Sequence, residues 1–263
     1  VAGCFNLDAF MYAPERLERY TFPDDDAAAT RELVQLTAKD GVRTWALWLP
    51  ADATQHPGRC RKTVLYCHGR DKHLEAFYWR VKQLRDLGYD VLLFDYRGYG
   101  MSEGTPSEEG LYADARAALA EAKRRSPAPV IYYGFSLGSA VCTQLATEQP
   151  PFALHLDAPI PGVDRFARDN SDLPLAGAQV ATIQFDNLSK IDRVGAPLQV
   201  FHGDRDDYVR SAYGEELHRR ARDPKRFWLV PGADHGGIPK APGYDERIVS
   251  FFDEPAPGVT GCP

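Results

Sequence analysis

Residues 32–37 alternate apolar and polar side chains, and after Lys39-Asp40-Gly41 a second run, 42–50, continues. Alternation with period two marks a half-buried strand, and Asp-Gly between two such runs marks a hairpin. Downstream the pattern changes to short, unbroken apolar runs at 63–67, 90–94, 130–133, 153–156, 198–202 and 227–230. Between them apolar residues recur at helical spacing: Phe77, Val81, Leu84 and Leu87 ahead of Gly88, then Leu111, Ala115 and Leu119 within 107–125. Further helical stretches are predicted at 137–147, 211–222 and 244–252, and Pro127 with Pro129 stops the helix at 107–125. A hairpin followed by repeated strand–helix pairs predicts an α/β fold, a mostly parallel, doubly wound sheet with helices on both faces. The stretch 158–197 breaks the rhythm with no convincing strand, and excursions of that length are usually functional. Ligands of open parallel sheets gather beyond the carboxyl ends of the strands, so the residues just after each strand are the ones to inspect.

Composition narrows the class. The chain has 263 residues, 44% of them hydrophobic and 26% charged, enough to bury a sizeable core as one large domain or two small ones. The formal charge of −6 argues against a nucleic-acid partner. Lys123-Arg124-Arg125 closes a predicted helix, where cations complement the dipole. No apolar run approaches the roughly 18 residues that span a bilayer. There is no His-x-x-x-His or Cys-x-x-Cys spacing, so neither a metal nor another cofactor is expected.

After the apolar run at 130–133 comes Gly134-Phe135-Ser136-Leu137-Gly138, a G-x-S-x-G pattern between a predicted strand and a predicted helix. Such a turn either caps the helix with its serine or forms a strained elbow that lifts the hydroxyl clear of the sheet. In the elbow, the N–H of the following residue, Leu137, faces the same space and can bind an oxyanion. A serine nucleophile needs a base, and the base needs an orienting acid. The chain supplies both after later strands: Gly203-Asp204-Arg205-Asp206-Asp207, then Asp234-His235. His235 alone among the seven histidines follows the last strand. His68 and His202 are expected to hold loops, His155 to pack within a strand, and His56, His73 and His218 to lie at the surface.

Further segments carry a resemblance. His68-Gly69 is similar to the HG element of the α/β-hydrolase superfamily, and Asp95-Tyr96-Arg97-Gly98-Tyr99-Gly100-Met101-Ser102 to its D-x-R-G-x-G-x-S segment. Phe185-Asp186-Asn187-Leu188 with Ile191, and His202-Gly203 with Asp206 and Val209, resemble the Bem46/ABHD13/ABHD17-like branch of serine hydrolases. Asp157-Ala158-Pro159 departs from the Glu-Ser-Pro triplet usual in that branch. The resemblance implies an α/β-hydrolase fold with Ser136 as nucleophile, His235 as base and Asp206, three residues past Gly203, as acid. Asp157 is the alternative acid, and Asp204 and Asp207 are expected to be loop carboxylates. The resemblance also makes the Arg70 N–H the second oxyanion donor, with Asp71 beside the Arg70 cation.

The implied activity is ester or thioester cleavage through an acyl-enzyme, on short-chain or exposed acyl substrates reached through an open site. Alternatives are a serine peptidase or amidase, and a non-catalytic binding protein on the same scaffold. The expected boundaries are an N-terminal extension at 1–31, a hydrolase domain at 32–254 with a short cap at 158–197, and a tail at 255–263. Val1-Ala2-Gly3-Cys4 resembles the lipobox of bacterial lipoproteins, which would place a lipid on Cys4 and the protein at the cell envelope or outside it. The alternative is a chance Ala-Gly-Cys in a cytoplasmic protein. Cys67 and Cys142 are expected in the core, which with a lipidated Cys4 leaves Cys60 and Cys262 to pair in an oxidising compartment. Tyr12, Tyr20 and Phe22 are expected to pack on the sheet edge, the alternative being a membrane-facing position if Cys4 carries a lipid.

Overall fold

The computed structural model describes residues 11–23, 30–52, 54–169 and 183–254. Eight strands form one sheet: β1 (Glu32–Thr37), β2 (Arg43–Leu49), β3 (Thr63–Cys67), β4 (Asp90–Phe94), β5 (Val130–Phe135), β6 (Ala153–Asp157), β7 (Leu198–Gly203) and β8 (Lys225–Val230). Their order across the sheet is β1-β2-β4-β3-β5-β6-β7-β8. β1 pairs antiparallel with β2, and β2 antiparallel with β4. Every other pair in the sheet is parallel. The predicted hairpin and the predicted doubly wound sheet are both present.

The helices are α1 (Tyr78–Asp86), α2 (Glu108–Arg125), α3 (Leu137–Glu148), α4 (Val163–Asp169), α5 (Ser211–Arg220) and α6 (Tyr244–Phe252). Successive side chains of a strand point to opposite faces. Val64 and Tyr66 of β3 therefore join Val81, Leu84, Ile248 and Phe252 beneath α1 and α6. Leu65 and Cys67 join Leu111, Leu119, Val141 and Leu217 beneath α2, α3 and α5. With both faces covered, β3 is buried along its whole length, which is why its sequence is an unbroken apolar run. The edge strand β1 keeps its alternation: Leu36 is buried while Leu33 is exposed.

Local chemistry sets the ends. The Ser107 side chain accepts a hydrogen bond from Gly110 N at 3.2 Å and caps α2. The predicted helix at Phe77 divides into a 3-10 turn, Leu74–Phe77, and α1. Among the described residues of 158–197 there is no strand, as expected, but α4 and a 3-10 turn at Ile191–Arg193 are present. Only Val163, Phe166 and Ala167 of α4 face inward, too few to give a helical period in the sequence.

Residues 11–23 run across the carboxyl ends of the central strands. Ala13–Pro14 pairs with Asp71–Lys72, and the backbones of Glu15 and Leu17 bond to Gly100 at 2.8 and 3.0 Å. Tyr20 donates to Asp95 at 2.6 Å, Phe22 packs on Tyr78, and Tyr12 meets Phe185 edge-on. These rings therefore cover strand ends and α1 rather than a sheet edge. His73 also differs from expectation: it is buried, with Glu15 and Glu75 within 4 Å. Cys67 and Cys142 are free and buried, and Cys60 is disulfide-bonded. Cys4, Cys262 and the tail at 255–263 lie outside the described residues. No described helix is long and apolar enough to cross a membrane.

Candidate active site

β5 ends at Phe135 and α3 begins at Leu137, so Ser136 alone turns the chain. It does so with φ 52° and ψ −118°, a left-handed conformation that a non-glycine residue adopts only under constraint from its surroundings. The two glycines make the turn sterically feasible. A Cβ on Gly138 would lie 2.1 Å from the Cys67 carbonyl oxygen, and one on Gly134 would lie 2.6 Å from Ser139 Cα. Behind the elbow, Ser139 Oγ donates to the Ser136 carbonyl at 2.6 Å. Asn187 Nδ2 in turn donates to Ser139 Oγ at 3.1 Å and to the Ile160 carbonyl at 3.0 Å. The Ser136 N–H donates to the Asp157 carbonyl at 3.0 Å.

Ser136 Oγ lies 3.0 Å from His235 Nε2, and His235 Nδ1 lies 2.7 Å from Asp206 Oδ2. With a carboxylate opposite, Nδ1 carries the hydrogen and Nε2 is left to accept from the serine. Ser136 is 4% exposed, whereas the His235 side chain is 22% exposed, so the imidazole is the accessible member. Asp206 follows β7 and His235 follows β8, and these parallel neighbours bring together residues far apart in sequence. The Tyr208 and Val209 N–H groups donate to Asp206 Oδ1 at 3.0 and 2.8 Å. Burial pushes the Asp206 pKa up. Hydrogen bonds from His202 and His235, the His235 charge and the Val209 amide outweigh burial and hold it well below the usual carboxylate range.

The loop after β3 is set by aromatic contacts. His68 lies against Phe77 and Tyr96, with its Nε2 3.3 Å from Asp95 Oδ1. Tyr96 donates to the His68 carbonyl at 2.9 Å, and Tyr99 to the Arg70 carbonyl at 2.7 Å. Ala13 N also reaches the Arg70 carbonyl, at 3.2 Å. The Arg70 guanidinium pairs with Asp71 at 3.1 Å and sits over the Tyr208 ring, which meets His235 edge-on. Leu137 opens α3, so its N–H is a helix-terminal donor with no intrahelical acceptor.

Ser136, His235 and Asp206 are thus brought into one chain of contacts. Asp157 is turned away from it, hydrogen-bonded to Tyr133 and, at 2.8 Å, to His155. Asp204 accepts from Gly232 N at 2.6 Å, and Asp207 is exposed. Among the described residues no cluster of His, Cys, Asp or Glu could hold a metal. Sequence reasoning missed Arg80. It sits three residues after Phe77 and four before Leu84, on the buried stripe of a helix, where a charge calls for an explanation.

A family model described as serine aminopeptidase, S33, matches residues 58–187, which include Ser136 but neither Asp206 nor His235. The uncharacterized protein Rv2307c of Mycobacterium tuberculosis is 38% identical over 213 residues, 79% of this chain and 73% of that one. The α/β hydrolase domain-containing protein aho-3 of Caenorhabditis elegans is 31% identical over 204 residues, 75% of this chain and 59% of that one. Among solved structures, the Pyrococcus furiosus esterase Pf2001 superposes with a TM-score of 0.72 at 21% identity, covering 92% of this chain and 96% of its own. Sheet order and structural superposition agree: this chain has the α/β-hydrolase fold, and the matched segment and aho-3 are similar to hydrolases of that fold.

Proposed function

We propose that the protein is a serine hydrolase that cleaves carboxylic esters or thioesters through an acyl-enzyme. The observation that carries this reading is the chain Asp206–His235–Ser136, with steps of 2.7 and 3.0 Å. Ser136 Oγ attacks the substrate carbonyl as its proton passes to His235 Nε2, and Asp206 stabilises the imidazolium through Nδ1–H. The carbonyl oxygen becomes an oxyanion held by the N–H groups of Leu137 and Arg70. His235 then gives its proton to the leaving alcohol or thiol. In the second half, His235 takes a proton from water, the hydroxide attacks the acyl carbonyl, and Ser136 recovers its hydrogen.

Esterase similarity in fold favours esters, and the description of the matched family model favours a second reading, amide or peptide cleavage. The Bem46/ABHD13/ABHD17-like branch rests on the motif resemblance at Phe185-Asp186-Asn187-Leu188 and at His202-Gly203 with Asp206 and Val209. Fluorophosphonate labelling tests the core of the proposal: one adduct on Ser136, lost in Ser136→Ala and reduced at least about 100-fold in His235→Ala. Folded wild-type protein that takes no label sinks the hydrolase reading and leaves the binding-protein one. A chain-length series of p-nitrophenyl esters, acyl thioesters and aminoacyl amides then separates the substrate classes by kcat/KM.

A lipid on Cys4 and an envelope or extracellular site complete the proposal, with the Cys60 disulfide as support for an oxidising compartment. Metabolic labelling with a palmitate analogue, absent in Cys4→Ser, is the expected result. Equal labelling of both forms overturns it.

A further inference from the structure

Arg80 is charged and 4% exposed, yet it takes no part in the chemistry described above. Its guanidinium reaches three segments at once. Nη2 donates to the Gly236 carbonyl at 2.7 Å, the residue after His235. The guanidinium carbon stands 4.2 Å from the centre of the Phe135 ring, the residue before Ser136. Nη1 lies 4.0 Å from Asp157 Oδ2, whose own backbone carbonyl accepts the Ser136 N–H. Phe135 in turn packs on His235, ring centres 5.1 Å apart. One planar cation therefore touches the residue before the nucleophile, the residue after the base, and the strand end that anchors the elbow.

A buried guanidinium is costly unless it is paired and hydrogen-bonded. The Arg80 guanidinium bonds Gly236 through Nη2, while Nη1 faces Asp157 at 4.0 Å without a hydrogen bond, with Tyr66, Tyr133 and Tyr244 nearby. Asp157 is fixed by His155 at 2.8 Å and by Tyr133, and Tyr133 meets Tyr244 at 2.6 Å. This network reaches into the sheet and fixes the carboxylate that faces the cation. We propose that Arg80 is a positioning residue that sets the distance between His235 and Ser136 by clamping the Gly236 carbonyl and the Phe135 ring together. The inference rests on the Ser136–His235–Asp206 reading. Reaction rates fall steeply when reacting groups shift by about 1 Å, so losing the clamp acts on turnover more than on binding.

The test uses Arg80→Met and Arg80→Lys, with Gln83→Ala as a matched control. Gln83 also ties α1 to the loop after His235, through the Pro239 carbonyl at 3.1 Å, but it does not touch Gly236. Turnover of a p-nitrophenyl ester is divided by the sites counted with fluorophosphonate, so that misfolded protein drops out. Arg80→Met is expected to lower kcat per site about 30-fold with KM within about twofold. Arg80→Lys, which keeps one donor for Gly236, should restore most of the loss, and Gln83→Ala should match wild type. Arg80→Met within about twofold of wild type in kcat per site overturns the proposal. So does an equal loss in Arg80→Lys, because the defect then tracks packing rather than the bond. If Arg80→Met does not fold, Arg80→Gln is measured against Arg80→Lys under the same criteria. Wild-type protein that takes no label fails the hydrolase reading instead, a result visible before any variant is made.

Discussion

Three aspartates crowd the loop after β7, and geometry separates their roles. Asp206 alone meets His235, at 2.7 Å, while Asp204 holds Gly232 N at 2.6 Å. Asp206→Asn should lower kcat by about 10⁴-fold, because an amide no longer fixes the tautomer of His235. Asp204→Asn should change kcat less than about threefold. Ester turnover at pH 8 checks both. The depressed pKa of Asp206 has a consequence for folding as well. A carboxyl held below its unfolded value of about 3.9 adds stability that is fully present above roughly pH 5 and is lost as pH falls towards the folded value. The stability gap between wild type and Asp206→Asn should therefore be widest near pH 7 and narrow by pH 3. Thermal unfolding at the two pH values reads it, and a gap that widens in acid contradicts the assignment. At Gly138 the limit is steric: a methyl group 2.1 Å from a carbonyl oxygen cannot be absorbed by a side-chain shift. Gly138→Ala should cost about 3 kcal/mol or more in urea unfolding.

Elements were legible where one face or one run was enough to define them. The hairpin was written in alternation and Asp40-Gly41, and the central strands in their apolar runs. What the pattern could not show was that β4 lies between β2 and β3, because pairing partners are chosen in three dimensions. Ser136, Asp206 and His235 stood out as candidates because each follows a strand, the superfamily resemblance chose among the acids, and the three side chains do meet. The roles of the supports around them were not legible: Arg80 and Asn187 act through partners on other elements, although Asn187 already stood within the Phe185-Asp186-Asn187-Leu188 motif. Asn187 shows how far that reach extends. It is buried and returns from the far side of the 158–197 stretch to donate to Ser139 Oγ and the Ile160 carbonyl. Asn187→Ala should cost about 1–2 kcal/mol through the lost bonds. Asn187→Asp should cost more, since it sets a carboxylate against the Ile160 carbonyl with no N–H to offer. If the two variants have equal urea midpoints, the amide is not donating there.

At the scale of the molecule, the site is a product of the sheet's carboxyl edge, where loops after β3, β5, β7 and β8 meet. A site assembled from such distant segments depends on ties that keep neighbouring layers in register. Arg97, just past β4, is one: its N–H and guanidinium bond to Asp114 of α2 at 2.8 and 2.9 Å, and the guanidinium also reaches Asp40 of the hairpin turn at 2.7 Å. Arg97 and Asp114 are buried, whereas the Asp40 side chain is 48% exposed. The two carboxylates should therefore differ in worth despite similar distances. Water solvates Asp40 in either case, so Asp40→Asn should cost less than about 1 kcal/mol. Asp114→Asn leaves a buried guanidinium with one exposed partner, and should cost about 3 kcal/mol. Both should keep wild-type turnover per labelled site, because neither carboxylate contacts the residues around Ser136. Urea unfolding at constant m-value distinguishes the two costs. Equal midpoints for the two variants would mean that burial does not set the worth of the two pairs.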